Sequence, residues 1–187
     1  MRLFIGINLP KKQRARIHRA VRPLRDEELP VRWVDPDNFH ITLKFLGEVR
    51  RDQLEGVEAA LDKVASSTRS FATVLGGFGA FPTIRRPRVI WMSVGANPEL
   101  RCLKQDLEWS LGEVGFSGEG RSFHPHVTLG RADDTGGAGA FRGVDELMAG
   151  LTFDSELKVH TLDLMRSHFS KNGARYSVVS SARLASS

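Results

Sequence analysis

Residues 38–49 read Asn-Phe-His-Ile-Thr-Leu-Lys-Phe-Leu-Gly-Glu-Val, and residues 121–131 read Arg-Ser-Phe-His-Pro-His-Val-Thr-Leu-Gly-Arg. Within them His40-Ile41-Thr42-Leu43 recurs as His126-Val127-Thr128-Leu129. In an extended strand, residues i and i+2 share a face. Each segment therefore presents an imidazole and a hydroxyl to one side, while Ile41 with Leu43, or Val127 with Leu129, turns toward a core. A single His-x-Thr on a strand is most often a hydrogen-bonded histidine with no further role. Two copies instead suggest the two halves of one polar site.

Two imidazoles suit a reaction in which one proton leaves an attacking water while another reaches a departing oxygen. Histidine titrates near neutral pH, so one ring can be neutral while the other is protonated. Phosphodiester hydrolysis has that requirement, and threonine hydroxyls beside the rings can hydrogen-bond non-bridging phosphoryl oxygens. The scheme needs no metal and no cofactor. His124 and His126 form a His-x-His pair that could hold a transition metal, but no third ligand stands at an informative spacing. His124 is better read as a neighbour that packs or hydrogen-bonds near the strand entry, where Pro125 restricts the backbone. His18, His160 and His168 have no repeated context.

Outward from these segments, the 187-residue chain is long enough for one domain, expected to span residues 1–187. With 41% apolar and 26% charged residues it has the composition of a soluble globular protein. No apolar run is long enough to cross a bilayer, and Leu3 to Ile7 reads as a first strand rather than a secretory signal. A single cysteine, Cys102, makes no internal disulfide or multi-thiolate site and fits the cytoplasm. Twenty-seven Lys and Arg against 22 Asp and Glu give a net charge of +5, which favours a phosphate-bearing partner over a cationic one.

Strand and helix signals alternate. Arg2 to Leu9 is strand-like, and Pro10 suits the first turn of a helix to about Leu24. Leu54, Val57, Leu61 and Val64 form one helical stripe, and Leu100, Leu103, Leu107, Leu111 and Val114 another, opened by an Asn97-Pro98 cap signal. Phe71 to Leu75 and Val89 to Val94 are strands, with the glycine- and proline-rich stretch between them expected as a hairpin or loop. Residues 133–143 read as a mobile loop before a short helix, and Leu157 to Leu164 and Arg175 to Val179 as two final strands. No Gly-Lys-Ser/Thr phosphate loop is present.

The paired His-x-Thr motifs resemble those of the two-histidine (2H) phosphoesterase superfamily. The wider pattern is similar to its RNA 2',3'-cyclic phosphodiesterase branch, also called bacterial 2'-5' RNA ligase-like proteins. Arg2 to Ile7, Asn38 to Val49, Pro87 to Trp91, Arg121 to Arg131 and Ser167 to Tyr176 carry the likeness over nearly the whole chain. The resemblance implies a bilobal α+β fold, with two antiparallel sheets facing a central cleft and helices outside. It also implies His40 as the acid protonating the ribose O3' leaving group, and His126 as the base activating water to yield a 2'-phosphomonoester. Thr42, Thr128 and Arg131 are then the residues holding the phosphoryl group. The expected partners are RNA ends or cyclic nucleotides, with no membrane, no obligatory protein partner and a monomeric state. Reversible ATP-independent 2'-5' RNA ligation and noncatalytic RNA-end binding are the alternatives.

Arg131 lies five positions after His126, so a regular strand would turn it to the opposite face. Gly130 offers a place for the bulge that would bring it back. Lys44 shares parity with His40 and Thr42, but reads equally well as a solvated strand-end lysine. Phe4, Phe45, Phe81 and Trp91 are candidates for stacking on a base.

Overall fold

The computed structural model describes residues 1–186. Leu3 to Ile7 is apolar apart from Gly6, and β1 (Arg2–Asn8) is buried along that whole run. Such a strand needs cover on both faces and a neighbour on both edges. It has β3 (His40–Glu48) on one side and β8 (Thr161–Ser170) on the other, both antiparallel. The remaining strands are β2 (Val31–Trp33), β4 (Phe71–Pro82), β5 (Pro87–Val94), β6 (His126–Ala132), β7 (Asp154–Val159) and β9 (Gly173–Arg183). The sheet order is β7-β4-β5-β6-β3-β1-β8-β9, with β2 paired to β6 off this path.

The halves that carry one motif each are thus joined in a single hydrogen-bonded sheet. The join is narrow, because β3 and β6 share one register point, Ile41 opposite Val127. The sheet also curls. Strand β7 stands at one end of the order and β8 beside the other end, yet only His160 separates them in the chain. The Leu184 N–H donates to the His160 carbonyl at 2.8 Å and the Ala185 N–H to the Thr68 carbonyl at 2.9 Å, fastening the two ends together.

Helices α1 (Lys11–Ala20), α2 (Arg22–Arg25), α3 (Arg51–Ser67), α4 (Pro98–Glu113) and α5 (Val144–Ala149) complete the α+β architecture. In α3, Val57, Leu61 and Val64 are buried, and in α4 so are Leu100, Leu103, Leu107 and Leu111. Asn97 caps α4 by accepting from the Leu100 N–H at 3.0 Å. The apolar core is one continuous cluster that includes Ile41 and Leu43 with Val127 and Leu129.

Among the boundaries that differ from the sequence reading, three have a direct physical reason. The first helix breaks at Val21, because Pro23 has no N–H to continue the ladder. The strand expected to stop at Leu75 runs on to Pro82 through the glycines. Gly76 and Gly77 fall at a register shift, and the Trp91 ring packs where a side chain at Gly79 would sit. The single strand expected over Leu157 to Leu164 is two, divided at His160 where the chain passes from β4 to β1 as partner.

Candidate active site

An antiparallel pair has a local two-fold axis perpendicular to the sheet, here passing between Ile41 and Val127. That axis relates His40 to His126 and Thr42 to Thr128. Ile41 and Val127 are fully buried on one face, so alternation sends the two histidines and two threonines to the other. All four line one cleft of about 910 Å³, together with Arg131. The sequence repeat is thus read out as approximate symmetry within the site.

Arg131 reaches this face through a bulge. The β5–β6 register steps from Ile90 opposite Gly130 to Trp91 opposite Thr128, leaving Leu129 unmatched. The extra residue reverses the parity beyond it. Gly130 is needed there, because a Cβ would stand 2.7 Å from Val31 and 2.9 Å from Trp33 of β2.

The first motif has the same construction. The β1–β3 register steps from Ile5 opposite Lys44 to Gly6 opposite Thr42, leaving Leu43 unmatched. Phe45, five positions after His40, accordingly lines the cleft and is 61% exposed. Lys44 turns away from it and is 2% exposed, so neither sequence reading of this lysine holds. Its Nζ donates to Glu108 Oε2 at 2.9 Å and to the Ser117 carbonyl at 3.0 Å.

Each histidine is oriented by the carbonyl two residues before it. His40 Nδ1–H donates to the Asn38 carbonyl at 2.7 Å, and His126 Nδ1–H donates to the His124 carbonyl at 2.7 Å. A carbonyl can only accept, so the neutral rings carry their proton on Nδ1 and leave Nε2 as the acceptor. The Thr42 hydroxyl donates to His40 Nε2 at 2.9 Å. Thr128 makes no corresponding bond to His126 among the described residues.

Both rings are held below the ordinary histidine pKa. For His40, burial pushes the value down, the Asn38 carbonyl opposes this, and the charges of His126 and Arg131 lower it further. For His126, burial again leads, the His124 carbonyl opposes it, and His124 and Arg131 push it down. A bound anion would reverse the contribution of these charges.

Aromatic rings flank both histidines. Phe4 lies 4.9 Å and Tyr176 5.0 Å from the His40 ring, centroid to centroid, and Phe81 lies 5.3 Å from His126. Of the four stacking candidates, Phe4, Phe45 and Phe81 line the cleft. Trp91 instead packs against Phe81 at 5.1 Å and His124 at 5.3 Å. His124 is the packing neighbour expected, its ring 4.9 Å from Phe81. Sequence reasoning does not single out Tyr176, Arg88 or Arg121, which also line the cleft. Tyr176 is the chain's sole tyrosine and comes from β9, brought in by sheet topology and not by any spacing. Among the described residues no three His, Cys, Asp or Glu side chains gather as a metal site would require.

Comparison with known proteins places this arrangement. The model of the LigT like phosphoesterase family matches residues 7–91. The RNA 2',3'-cyclic phosphodiesterase of Aeropyrum pernix is 36% identical over 85% of this chain and 89% of its own length. The protein of that name from Bacillus subtilis is 32% identical over 68% of this chain and 69% of its own. Among crystal structures, a Thermus thermophilus protein superposes with a TM-score of 0.82 at 28% identity, covering 98% of each chain. E. coli LigT complexed with 3'-AMP gives 0.78 at 27% identity, covering 98% of this chain and 97% of that one. Fold and relatives together define a phosphoesterase. The chain belongs to the LigT-like, or 2H, phosphoesterase family, alongside the RNA 2',3'-cyclic phosphodiesterases.

Proposed function

We propose that the protein hydrolyses RNA 2',3'-cyclic phosphate ends to 2'-phosphomonoesters, without a metal, by paired acid and base catalysis from His40 and His126. The observation that carries this is the approximate dyad at Ile41 and Val127, which sets two imidazoles, two hydroxyls and the returned Arg131 around one cleft. The names of the relatives from A. pernix and B. subtilis support the cyclic phosphodiester as substrate. The 3'-AMP bound to E. coli LigT supports an RNA end or cyclic nucleotide as the ligand.

In this mechanism the phosphoryl group sits between the motifs, its non-bridging oxygens accepting from Thr42, Thr128 and the Arg131 guanidinium. The Nε2 lone pair of His126, free in the resting site, takes a proton from water as the water oxygen bonds to phosphorus. The P–O3' bond breaks, and His40 Nε2–H delivers its proton to O3'. The phosphate stays on O2'. His126 ends protonated and His40 neutral, and exchange with solvent restores the starting states. In the free protein Thr42 occupies His40 Nε2, which favours His126 over His40 as the base. The diester anion raises the pKa of His40 on binding and so lets it load the proton it donates.

Residues 1–187 act as one bilobal unit on this reading, supported by a core continuous across both halves. The same reading has it act in the cytoplasm as a monomer, and the single cysteine accords with that compartment.

The test is to incubate the protein with a cyclic-phosphate-ended oligonucleotide in EDTA and identify the product by phosphorus NMR. A 2'-phosphate is expected. A 3'-phosphate would reverse the leaving group, a joined strand would indicate ligation, and untouched substrate would overturn the assignment.

A further inference from the structure

Among the described residues strand β6 meets β3 only at Ile41, so beyond Thr42 that edge of β3 has no strand neighbour there. Two backbone groups at the Leu43 bulge are satisfied by side chains instead. Lys104 Nζ donates to the Leu43 carbonyl at 2.6 Å, and the Phe45 N–H donates to Glu119 Oε1 at 3.4 Å. Lys104 and Glu119 are themselves paired at 2.8 Å. An ion pair from α4 and the loop after it stands in for the missing strand.

The pair belongs to a larger cluster. Lys104 also donates to Glu108 Oε1 at 2.6 Å, which uses all three of its ammonium protons. Glu108 Oε2 accepts from Lys44 Nζ at 2.9 Å and from the Glu119 N–H at 3.3 Å. Burial pushes the Glu108 carboxyl up, but hydrogen bonds and charge from Lys104 and Lys44 outweigh it and hold the group below its usual range. Two lysines and two glutamates cancel in charge, and Lys44 and Lys104 are both buried. The Lys104 ammonium also lies 5.5 Å over the Phe123 ring, three residues before His126.

One ammonium therefore touches the strand of the first motif immediately after Thr42 and the segment that leads into the second. We propose that Lys104, paired with Glu119, is a positioning residue that fixes the spacing of the two histidine segments. This rests on the hydrolase reading above. Beyond the Ile41–Val127 bridge the two strands are not paired among the described residues, so the cluster supplies a second tie between the two segments where the cleft opens. Reacting groups displaced by about 1 Å can lose about 10²-fold in rate, so a contact remote from phosphorus can set turnover.

The experiment is to compare wild-type protein with Lys104→Met and Glu119→Ala on 2',3'-cyclic AMP, and to record the histidine ring NMR signals of each without substrate. Lys104→Met is expected to lower kcat about 10²-fold with little change in KM. It should also shift the His40 and His126 signals, although neither ring hydrogen-bonds Lys104, and leave His160 in place. Glu119→Ala removes the other half of the pair from a partly exposed loop and should shift the same two signals, which decides the question if Lys104→Met does not fold. Folded variants with wild-type kcat, or with unmoved His40 and His126 signals, would overturn the positioning role. Wild-type protein that leaves 2',3'-cyclic AMP intact would overturn the hydrolase reading instead, and the ring signals alone would then decide the role of Lys104.

Discussion

Arg131 of β6 and Phe45 of β3 occupy equivalent places, each five residues beyond its motif histidine and each returned to the cleft by one unmatched leucine. The symmetry of the backbone is thus broken by chemistry. One motif strand offers a guanidinium to the cleft and the other an aromatic ring.

Arg131→Ala should weaken both substrate binding and turnover, and Arg131→Lys should not restore them. A lysine is a point charge that loses the planar fork able to grip two phosphoryl oxygens at once. Steady-state kinetics on 2',3'-cyclic AMP checks this, and full rescue by lysine would exclude the fork.

The pH profile of kcat/KM should be a bell with its optimum on the acid side of the ordinary histidine range. On the proposed mechanism activity should rise as His126 loses its proton and fall as His40 loses its own, and both pKa values are lowered in the free protein, chiefly by burial. The kcat profile, which reports the complex, should lie at higher pH because the bound anion stabilises both imidazolium forms. Arg131→Ala should move the kcat/KM bell upward, since that charge lowers both rings. Two superimposable profiles would contradict the electrostatics.

Thr128→Val should lower kcat by about 10²-fold, the effect of deleting one donor to a developing oxyanion. Thr42→Val should have that loss and a second signature. Its hydroxyl donates to His40 Nε2 in the free protein, so the His40 ring signals should shift in the variant without substrate. Heteronuclear NMR of the imidazoles separates the two cases.

Gly6→Ala should destabilise the fold and slow the reaction together. A Cβ there would stand 2.8 Å from the Ile41 carbonyl and 3.5 Å from the His40 ring. The carbonyl is backbone of a strand paired on both sides at Ile41 and cannot step aside alone, so a cost of about 1–3 kcal/mol is expected. Thermal unfolding and kcat measured on one preparation test whether the two losses travel together.

Much of this site is legible in the sequence because strand alternation makes a short motif directional. His40, Thr42, His126 and Thr128 share a face for the reason that Ile41 and Val127 are apolar, and both helical stripes are plain in the spacing of leucines and valines. The bulges are less legible. Gly130 marks one, but nothing in the sequence distinguishes Leu43 as an unmatched residue, and so parity alone leaves Lys44 facing either the cleft or solvent. Its burial against Glu108 depends on α4 packing beneath β3, a long-range relation that local pattern does not encode. The same holds for Tyr176, which reaches His40 through the order of strands, and for the step at His160, which becomes visible only once β7 and β8 are seen to pair at opposite ends of one curled sheet.

The most direct test of the paired-histidine mechanism is a double-mutant cycle on a cyclic-phosphate-ended oligonucleotide in EDTA, using His40→Ala, His126→Ala and both together. Each single variant should lose about 10²–10⁴-fold in kcat while remaining folded. The double variant should fall little further than the worse single one, because an acid and a base acting in one transition state are lost as a unit. Near-normal turnover by either single variant, or losses that simply multiply in the double, would contradict concerted use of the two rings.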